Sequence, residues 1–175
     1  MNLKTLIRTI PDYPKPGVLF RDITTLLKDP AGMRQAVDQL AGPFRGLGID
    51  KVAGIEARGF ILGGAVAVAL GAGFVLVRKQ GKLPSETIGL QYQLEYGSDG
   101  LEIHTDAVSP GDRVLVVDDL IATGGTAEAA IRIIEQSRGT LAGFAVIVDL
   151  PDLGGRQRIE AAGHKVVCLC EFEGE

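Results

Sequence analysis

Arg113-Val-Leu-Val-Val-Asp-Asp-Leu-Ile-Ala-Thr-Gly-Gly-Thr-Ala127 is the stretch whose reading decides the fold. Val114 to Val117 is a short apolar run rich in β-branched residues, the pattern of a buried parallel strand. Asp118 and Asp119 stand at its carboxyl end, and Ala122-Thr123-Gly124-Gly125-Thr126 makes a small-residue turn. Beyond it, Ala129, Ile131, Ile133 and Ile134 fall among Glu128, Arg132, Glu135 and Gln136, a helical mix. The order is strand, acidic pair, Thr/Gly loop, helix. Glycines let backbone N–H groups approach an anion, and a helix N-terminus adds unpaired donors and partial positive charge. The hydroxyls of Thr123 and Thr126 add further donors, so the loop reads as a phosphate cradle. It has no lysine of the Walker type, and no Gly-x-Gly-x-x-Gly occurs, which argues against an NTPase and a dinucleotide site. Ligands of open α/β sheets bind beyond the strand ends, where the two acids lie. Paired carboxylates there suit the two hydroxyls of a ribose, or a metal-bound ligand.

Working outward, Val52–Ile55, Phe74–Val77, Phe144–Val148 and Val166–Leu169 read as further core strands. Helices are expected from Asp29-Pro30, over Phe60–Leu70, from Thr126 and near Arg156–Ala162. Five parallel-type strands alternating with helices predict an α/β fold with a doubly wound sheet. Arg58 follows the first of these strands and Arg78-Lys79 the second, with Lys82 close behind. A parallel sheet would bring these basic groups to one edge. Leu90, Tyr92, Leu94 and Tyr96 alternate with Gln91, Gln93 and Glu95 before a Gly97–Gly100 turn and a returning strand Leu101–His104. This hairpin is placed outside the core sheet, as a lid or a plain antiparallel edge. His104 is given no catalytic role. At the amino end, Leu3–Ile10 reads as a short helix, and Pro11, Pro14, Pro16 and Gly17 impose an extended, turn-rich arm leading to Phe20.

Composition bounds the function. The chain of 175 residues, 46% hydrophobic and 23% charged, suits one globular domain with one sizeable core. A net charge of −4 argues against a broad nucleic-acid footprint. Cys168 and Cys170, two apart on a strand, would share a face and not bond to each other, as buried reduced thiols of a cytoplasmic protein. No second Cys or His cluster completes a metal site. No signal peptide is read at the amino end, and Gly59–Leu70 is too short to span a bilayer, so no membrane partner is expected.

Val-Leu-Val-Val-Asp-Asp-Leu-Ile-Ala-Thr-Gly-Gly-Thr, over 114–126, resembles the phosphoribosyl-pyrophosphate signature of type I phosphoribosyltransferases. Pro-Asp-Tyr-Pro-Lys-Pro-Gly-Val-Leu-Phe-Arg-Asp-Ile-Thr, over 11–24, is similar to the amino-terminal hood of the adenine phosphoribosyltransferase family. The resemblance runs from about Ile7 to the last strand. It implies the type I fold: a central, mostly parallel five-stranded sheet flanked by helices, with a hood over about 1–28 and a flexible β-hairpin lid over about 79–106. It implies an Mg²⁺-dependent transfer from phosphoribosyl pyrophosphate to adenine, giving AMP and pyrophosphate in purine salvage, by a homodimer. Phe20 would stack on adenine, with backbone contacts from Leu19 and Arg21. Arg58, Arg78, Lys79 and Lys82 would serve the pyrophosphate end, some of them across the dimer interface. Asp118 and Asp119 would hold the ribose, and Ala122, Thr123, Gly124, Gly125 and Thr126 the 5′-phosphate. Mg²⁺ would bind mainly through substrate oxygens and water. By the Leu-Glu-Tyr-Gly match, Glu95 is the catalytic candidate and Tyr96 lies among the substrate-binding residues; spacing alone reads Glu95 as an exposed strand residue. Thr25 stands where the family usually has proline, and Ala57 where it often has serine. A transferase for another purine, or a fold-retaining regulator, are the alternatives. A regulator would be expected to carry a nucleic-acid-binding part and a basic charge, neither of which the sequence displays.

Overall fold

An apolar run such as Val114–Val117 needs cover on both faces, and β7 (Arg113–Ile121), which contains it, receives that cover at the middle of the parallel strands. The computed structural model describes residues 1–93 and 97–174. β3 (Lys51–Ile55), β4 (Gly73–Lys79), β8 (Thr140–Asp149) and β9 (Val166–Glu171) complete a parallel body ordered β4-β3-β7-β8-β9. Along β7, Leu115 and Val117 join one buried cluster and Val114 and Val116 the other. The first cluster includes Leu40 of α2 (Pro30–Ala41) and Leu62 and Val66 of α3 (Arg58–Leu70). The second includes Ile131 and Ile134 of α4 (Gly125–Gln136) and Ile159 of α5 (Gly155–Ala161). The chain is thus wound over both faces of the sheet, as five alternating strands and helices predict. Strand order reverses between β3 and β7, the switch point at which such sheets bind ligands.

Three local features depart from expectation. β7 runs past Val117 because Asp118, Leu120 and Ile121 pair with Val146, Val148 and Asp149 of β8. The acids therefore lie within the strand rather than beyond it. The hairpin of β5 (Thr87–Gln93) and β6 (Ser98–His104) is joined to the sheet, with Arg78 opposite Glu102 and Lys79 opposite Leu101. β4 outruns β3, and backbone groups left without a strand need partners; Glu56 Oε1 takes the Lys79 N–H on the β3 side, while β6 pairs with the opposite edge. At the amino end only Leu3–Leu6 is helical, as a 3-10 turn. Arg8–Pro11 is β1, paired antiparallel with β2 (Leu19–Asp22), because the proline-rich turn returns the chain beside it. A short helix α1 (Thr24–Leu27) links this ribbon to α2. The cysteines are unbonded: Cys170 joins the first cluster, whereas Cys168 packs against the second. Burial pushes the Cys168 thiol up to about 12.

Candidate active site

At the switch point α3 and β7 meet closely at a glycine. A Cβ on Gly59, in the first turn of α3, would lie 2.9 Å from the Val117 carbonyl oxygen and 3.1 Å from Asp118 Oδ1. Only without a side chain there does α3 seat against β7. Arg58, one residue earlier, is thereby delivered to the acidic pair and forms an ion pair with Asp119. The same guanidinium lies 5.6 Å from the centroid of the Phe20 ring. Arg58 therefore touches both the amino-terminal ribbon and the centre of the sheet.

Asp119 is buried and Asp118 half-buried, and Asp118 Oδ1 accepts a hydrogen bond from the Asp119 N–H at 2.8 Å. Burial, then the neighbouring Asp119 charge, hold the Asp118 carboxyl well above the usual range, with Arg58 pulling the other way. A cavity of about 200 Å³ is lined by Arg58, both acids and the whole Ala122–Thr126 loop. Gly124 closes that loop at φ 87°, a left-handed conformation suited to glycine, and α4 starts without a side-chain cap on its N–H groups. These uncapped donors are what a phosphate would satisfy.

A larger cavity, about 690 Å³, adjoins the loop at Thr123, Gly125 and Thr126 and is walled on the other side by Leu90–Gln93. There Tyr92 Oη lies 3.2 Å from Thr126 Oγ1 and 3.4 Å from Asp99 Oδ2, and Lys79 Nζ lies 3.1 Å from Asp99. The Asp99 hydrogen bond raises the Lys79 ammonium and burial raises the Tyr92 phenol. Neither Tyr92 nor Asp99 was marked by the sequence as belonging to the site. The alternation of Leu90 and Tyr92 already set them on one face, and that was the only signal.

Arg78 and Lys79 reach the same sheet edge as Arg58 through Glu56. Its Oε1 accepts the Lys79 N–H at 2.5 Å and lies 3.5 Å from Arg78 Nε. Lys82 is exposed, and its carbonyl accepts a hydrogen bond from Arg78 at 3.2 Å. Phe20 and Leu19 are half-buried on β2, with the Tyr13 ring edge-on to Phe20 at 5.2 Å. The Arg21 side chain turns away: it donates to Thr9 Oγ1 and the Glu173 carbonyl, each at 2.7 Å, and lies 4.7 Å from the Phe172 ring. Nothing in the sequence pointed to that anchoring. Thr25 also has a task, donating to the Leu6 carbonyl at 2.6 Å and accepting from the Arg8 N–H at 3.2 Å. Glu95 and Tyr96 lie outside the described residues.

Among known proteins, the family model of the phosphoribosyl transferase domain matches residues 24–171. The adenine phosphoribosyltransferase of Parvibaculum lavamentivorans is 63% identical over 99% of both chains. The crystal structure of the Rhodothermus marinus adenine phosphoribosyltransferase superposes with a TM-score of 0.92 at 52% identity, covering 97% of this chain and 96% of that one. That of the Saccharomyces cerevisiae enzyme, complexed with an imino-altritol bisphosphate and adenine, gives 0.89 at 38% identity over 96% of each chain. With a matching domain, near-complete coverage and close superposition, the chain belongs to the phosphoribosyltransferase family and, within it, to the adenine phosphoribosyltransferases.

Proposed function

We propose that the chain transfers the phosphoribosyl group of 5-phosphoribosyl 1-pyrophosphate to adenine, forming AMP and pyrophosphate in purine salvage. One observation carries the reading: Arg58 ties an aromatic ring on β2 and a carboxylate pair on β7 to a single cavity floored by the Thr/Gly loop. The adenine bound in the yeast relative agrees with it.

Loss of pyrophosphate leaves oxocarbenium-like charge on the ribose, as in glycoside chemistry. Asp118 and Asp119 would hold the ribose hydroxyls beside that charge. Burial, and then the Asp119 charge, raise the Asp118 carboxyl, so ribose hydroxyls donating to it would replace the solvation its charged form has lost. Backbone N–H groups of Ala122–Gly125 and the hydroxyls of Thr123 and Thr126 would hold the 5′-phosphate. Arg58, Arg78, Lys79 and Lys82 would add fixed positive charge at the leaving pyrophosphate. Phe20 would stack on the purine, with Leu19 and Arg21 bonding its edge through their backbones. Glu95 would manage the purine proton, with Tyr96 beside it among the substrate contacts.

Mg²⁺ fits this donor set. Two adjacent carboxylates cannot complete an octahedral oxygen shell, so the acids would reach the ion through ribose hydroxyls and water, and substrate oxygens would fill the rest. When bound, it would neutralise charge on the pyrophosphate.

We read the chain as one domain, with a hood over about 1–28 and a lid over about 79–106. A homodimer is supported by exposed apolar side chains, Ile61 and Val68 of α3 with Phe74 and Leu76 of β4, Val68 being 84% exposed. Unbonded cysteines suit the reducing cytoplasm. Among the described residues no helix is long and apolar enough to cross a membrane.

The deciding experiment offers phosphoribosyl pyrophosphate and Mg²⁺ with adenine, guanine, hypoxanthine or xanthine and detects the nucleotide formed. AMP should dominate. Adenine presents an exocyclic donor and a ring acceptor, the reverse of hypoxanthine, and each buried group left unpaired costs roughly 1–3 kcal/mol. A preference on the order of 10²–10⁴-fold in kcat/KM is expected. Comparable values for hypoxanthine would overturn the choice of base while leaving the transferase class intact.

A further inference from the structure

The Ala122–Gly124 stretch has little side chain of its own with which to hold its shape, yet it must aim several N–H groups at one anion. Its support comes from α5, well downstream. The Gly155 N–H donates to the Ala122 carbonyl at 2.9 Å. A Cβ at Gly155 would overlap that carbonyl oxygen, and would fall 2.7 Å from the Gly124 nitrogen and 2.9 Å from the Thr123 carbonyl carbon. Seen from the loop, a Cβ at Gly124 would lie 3.1 Å from both Cα and O of Gly155. The two segments touch backbone to backbone. Gly155 has no left-handed φ, unlike Gly154 at +74°, so space and not conformation requires glycine at 155.

The supporting element is itself held. Gly155 and Ile159 are buried, and Arg156 Nε bonds Glu160 at 3.0 Å while its Nη1 bonds Glu171 of β9 at 3.0 Å. The same Nη1 lies 3.9 Å from the buried Asp149 at the end of β8. The start of α5 is thus fastened to the last two strands and presses on the back of the loop.

We propose that Gly155 is a positioning residue for the 5′-phosphate: by having no side chain and by donating to Ala122, it sets the direction of the loop N–H groups. A merely structural glycine would affect all ligands alike. This one should act on ligands that carry the 5′-phosphate and spare those that do not. The inference rests on the reading that the Thr/Gly loop takes that phosphate, so the test separates the two.

The test is calorimetric titration of wild type and Gly155→Ala with ribose 5-phosphate and, separately, with pyrophosphate and Mg²⁺. Misdirecting preorganised donors is expected to weaken ribose 5-phosphate at least ~10-fold while pyrophosphate stays within ~2-fold. If wild type does not bind ribose 5-phosphate, the loop assignment fails. If wild type binds it and Gly155→Ala binds it equally well, or if both ligands weaken equally, the positioning role fails. Should Gly155→Ala not fold, Arg156→Gln carries the test. It puts no atom into the loop and only loosens α5, and should weaken ribose 5-phosphate alone by ~3-fold. Unchanged affinity in that variant overturns the proposal.

Discussion

Two antiparallel ribbons stand at the site, β5 walling the larger cavity and β2 bringing Phe20 to Arg58, and they are tied down by different chemistry. The β1–β2 ribbon is anchored on buried groups and backbone atoms. Arg21 spans from Thr9 to the Glu173 carbonyl, Thr25 joins Leu6 and Arg8, and buried Asp22 pairs with Arg8 and accepts the Thr24 N–H. The β5–β6 ribbon is firm at its root, where buried Glu102 accepts from the Gly81 N–H and the Thr87 hydroxyl at 3.0 and 3.1 Å. Farther out it is held by the Lys79–Asp99 pair, whose lysine is 58% exposed, and by the Tyr92–Thr126 contact. An exposed ion pair contributes about 0–1 kcal/mol and a hydroxyl hydrogen bond about 1. The outer part of β5–β6 thus rests on two weak contacts, whereas β1–β2 shares its load among several, including the Arg21 bonds to Thr9 and Glu173 and the Thr24 N–H to Asp22. A pocket that must reject wrong purines gains from fixed walls, whereas a cover must admit substrate and release product.

The largest effect is expected at the sheet centre both ribbons face. Asp118→Asn combined with Asp119→Asn should remove most activity, and the single variants should differ in stability. A carboxyl whose folded pKa is raised binds its proton more tightly in the folded chain, so its stability contribution falls as pH rises above the ordinary value of 3.8. Asp118→Asn should therefore melt at or above the wild-type temperature at neutral pH. Asp119→Asn breaks the Arg58 pair and should cost about 1–3 kcal/mol. Full activity in a folded double variant would remove the acids from the reaction.

Next comes the chemical step assigned to the hairpin. Glu95→Gln should lower kcat by ~10²–10⁴-fold with little change in KM. An unchanged kcat with chemistry rate-limiting would remove Glu95 from the proton transfer. On the other ribbon, Phe20→Ala should raise KM for adenine, because base–aromatic stacking is worth roughly 1–3 kcal/mol, while KM for phosphoribosyl pyrophosphate holds. Arg21→Ala, by contrast, should cost stability, since it frees the ribbon from the carboxyl-terminal segment. Tyr92→Phe removes the hydroxyl that meets Thr126 and Asp99, so a ~5-fold rise in KM for phosphoribosyl pyrophosphate is expected. A rise in KM for adenine instead would erase the division between the ribbons.

The smallest effect concerns acid. Hydrogen bonding from Thr24, with the Arg8 guanidinium, lowers the Asp22 carboxyl to about 2. A depressed carboxyl stabilises the fold fully above its ordinary value, and that contribution is lost as pH falls from 3.8 towards about 2. Melting temperatures of wild type and Asp22→Asn should converge across that window; parallel curves would mean Asp22 does not anchor the ribbon.

Much of this was legible in the chain because its signals are local. Val114–Val117 could only be a covered strand, and Thr123–Thr126 before an apolar helix could only be a turn rich in N–H donors. What misled was also local: Leu3, Leu6, Ile7 and Ile10 have helical spacing, yet Thr9 and Ile10 pair with Arg21 and Phe20. Spacing records what one segment prefers, and a ribbon is decided by the partner that arrives beside it.

The sequence by itself determined the family, the alternating strands and helices, the acidic pair and the Thr/Gly loop, since each rests on neighbours in the chain. Only the tertiary structure decided that the acids lie inside β7 with Asp119 buried on Arg58, and that Tyr92 meets Thr126. It alone showed that the Arg21 side chain anchors the ribbon to the carboxyl-terminal segment, and that Gly155 backs the loop. Those contacts join residues far apart in the chain at distances set by the packed sheet. Burial, ion pairing and the room for a single Cβ exist only once the sheet has closed the space between them.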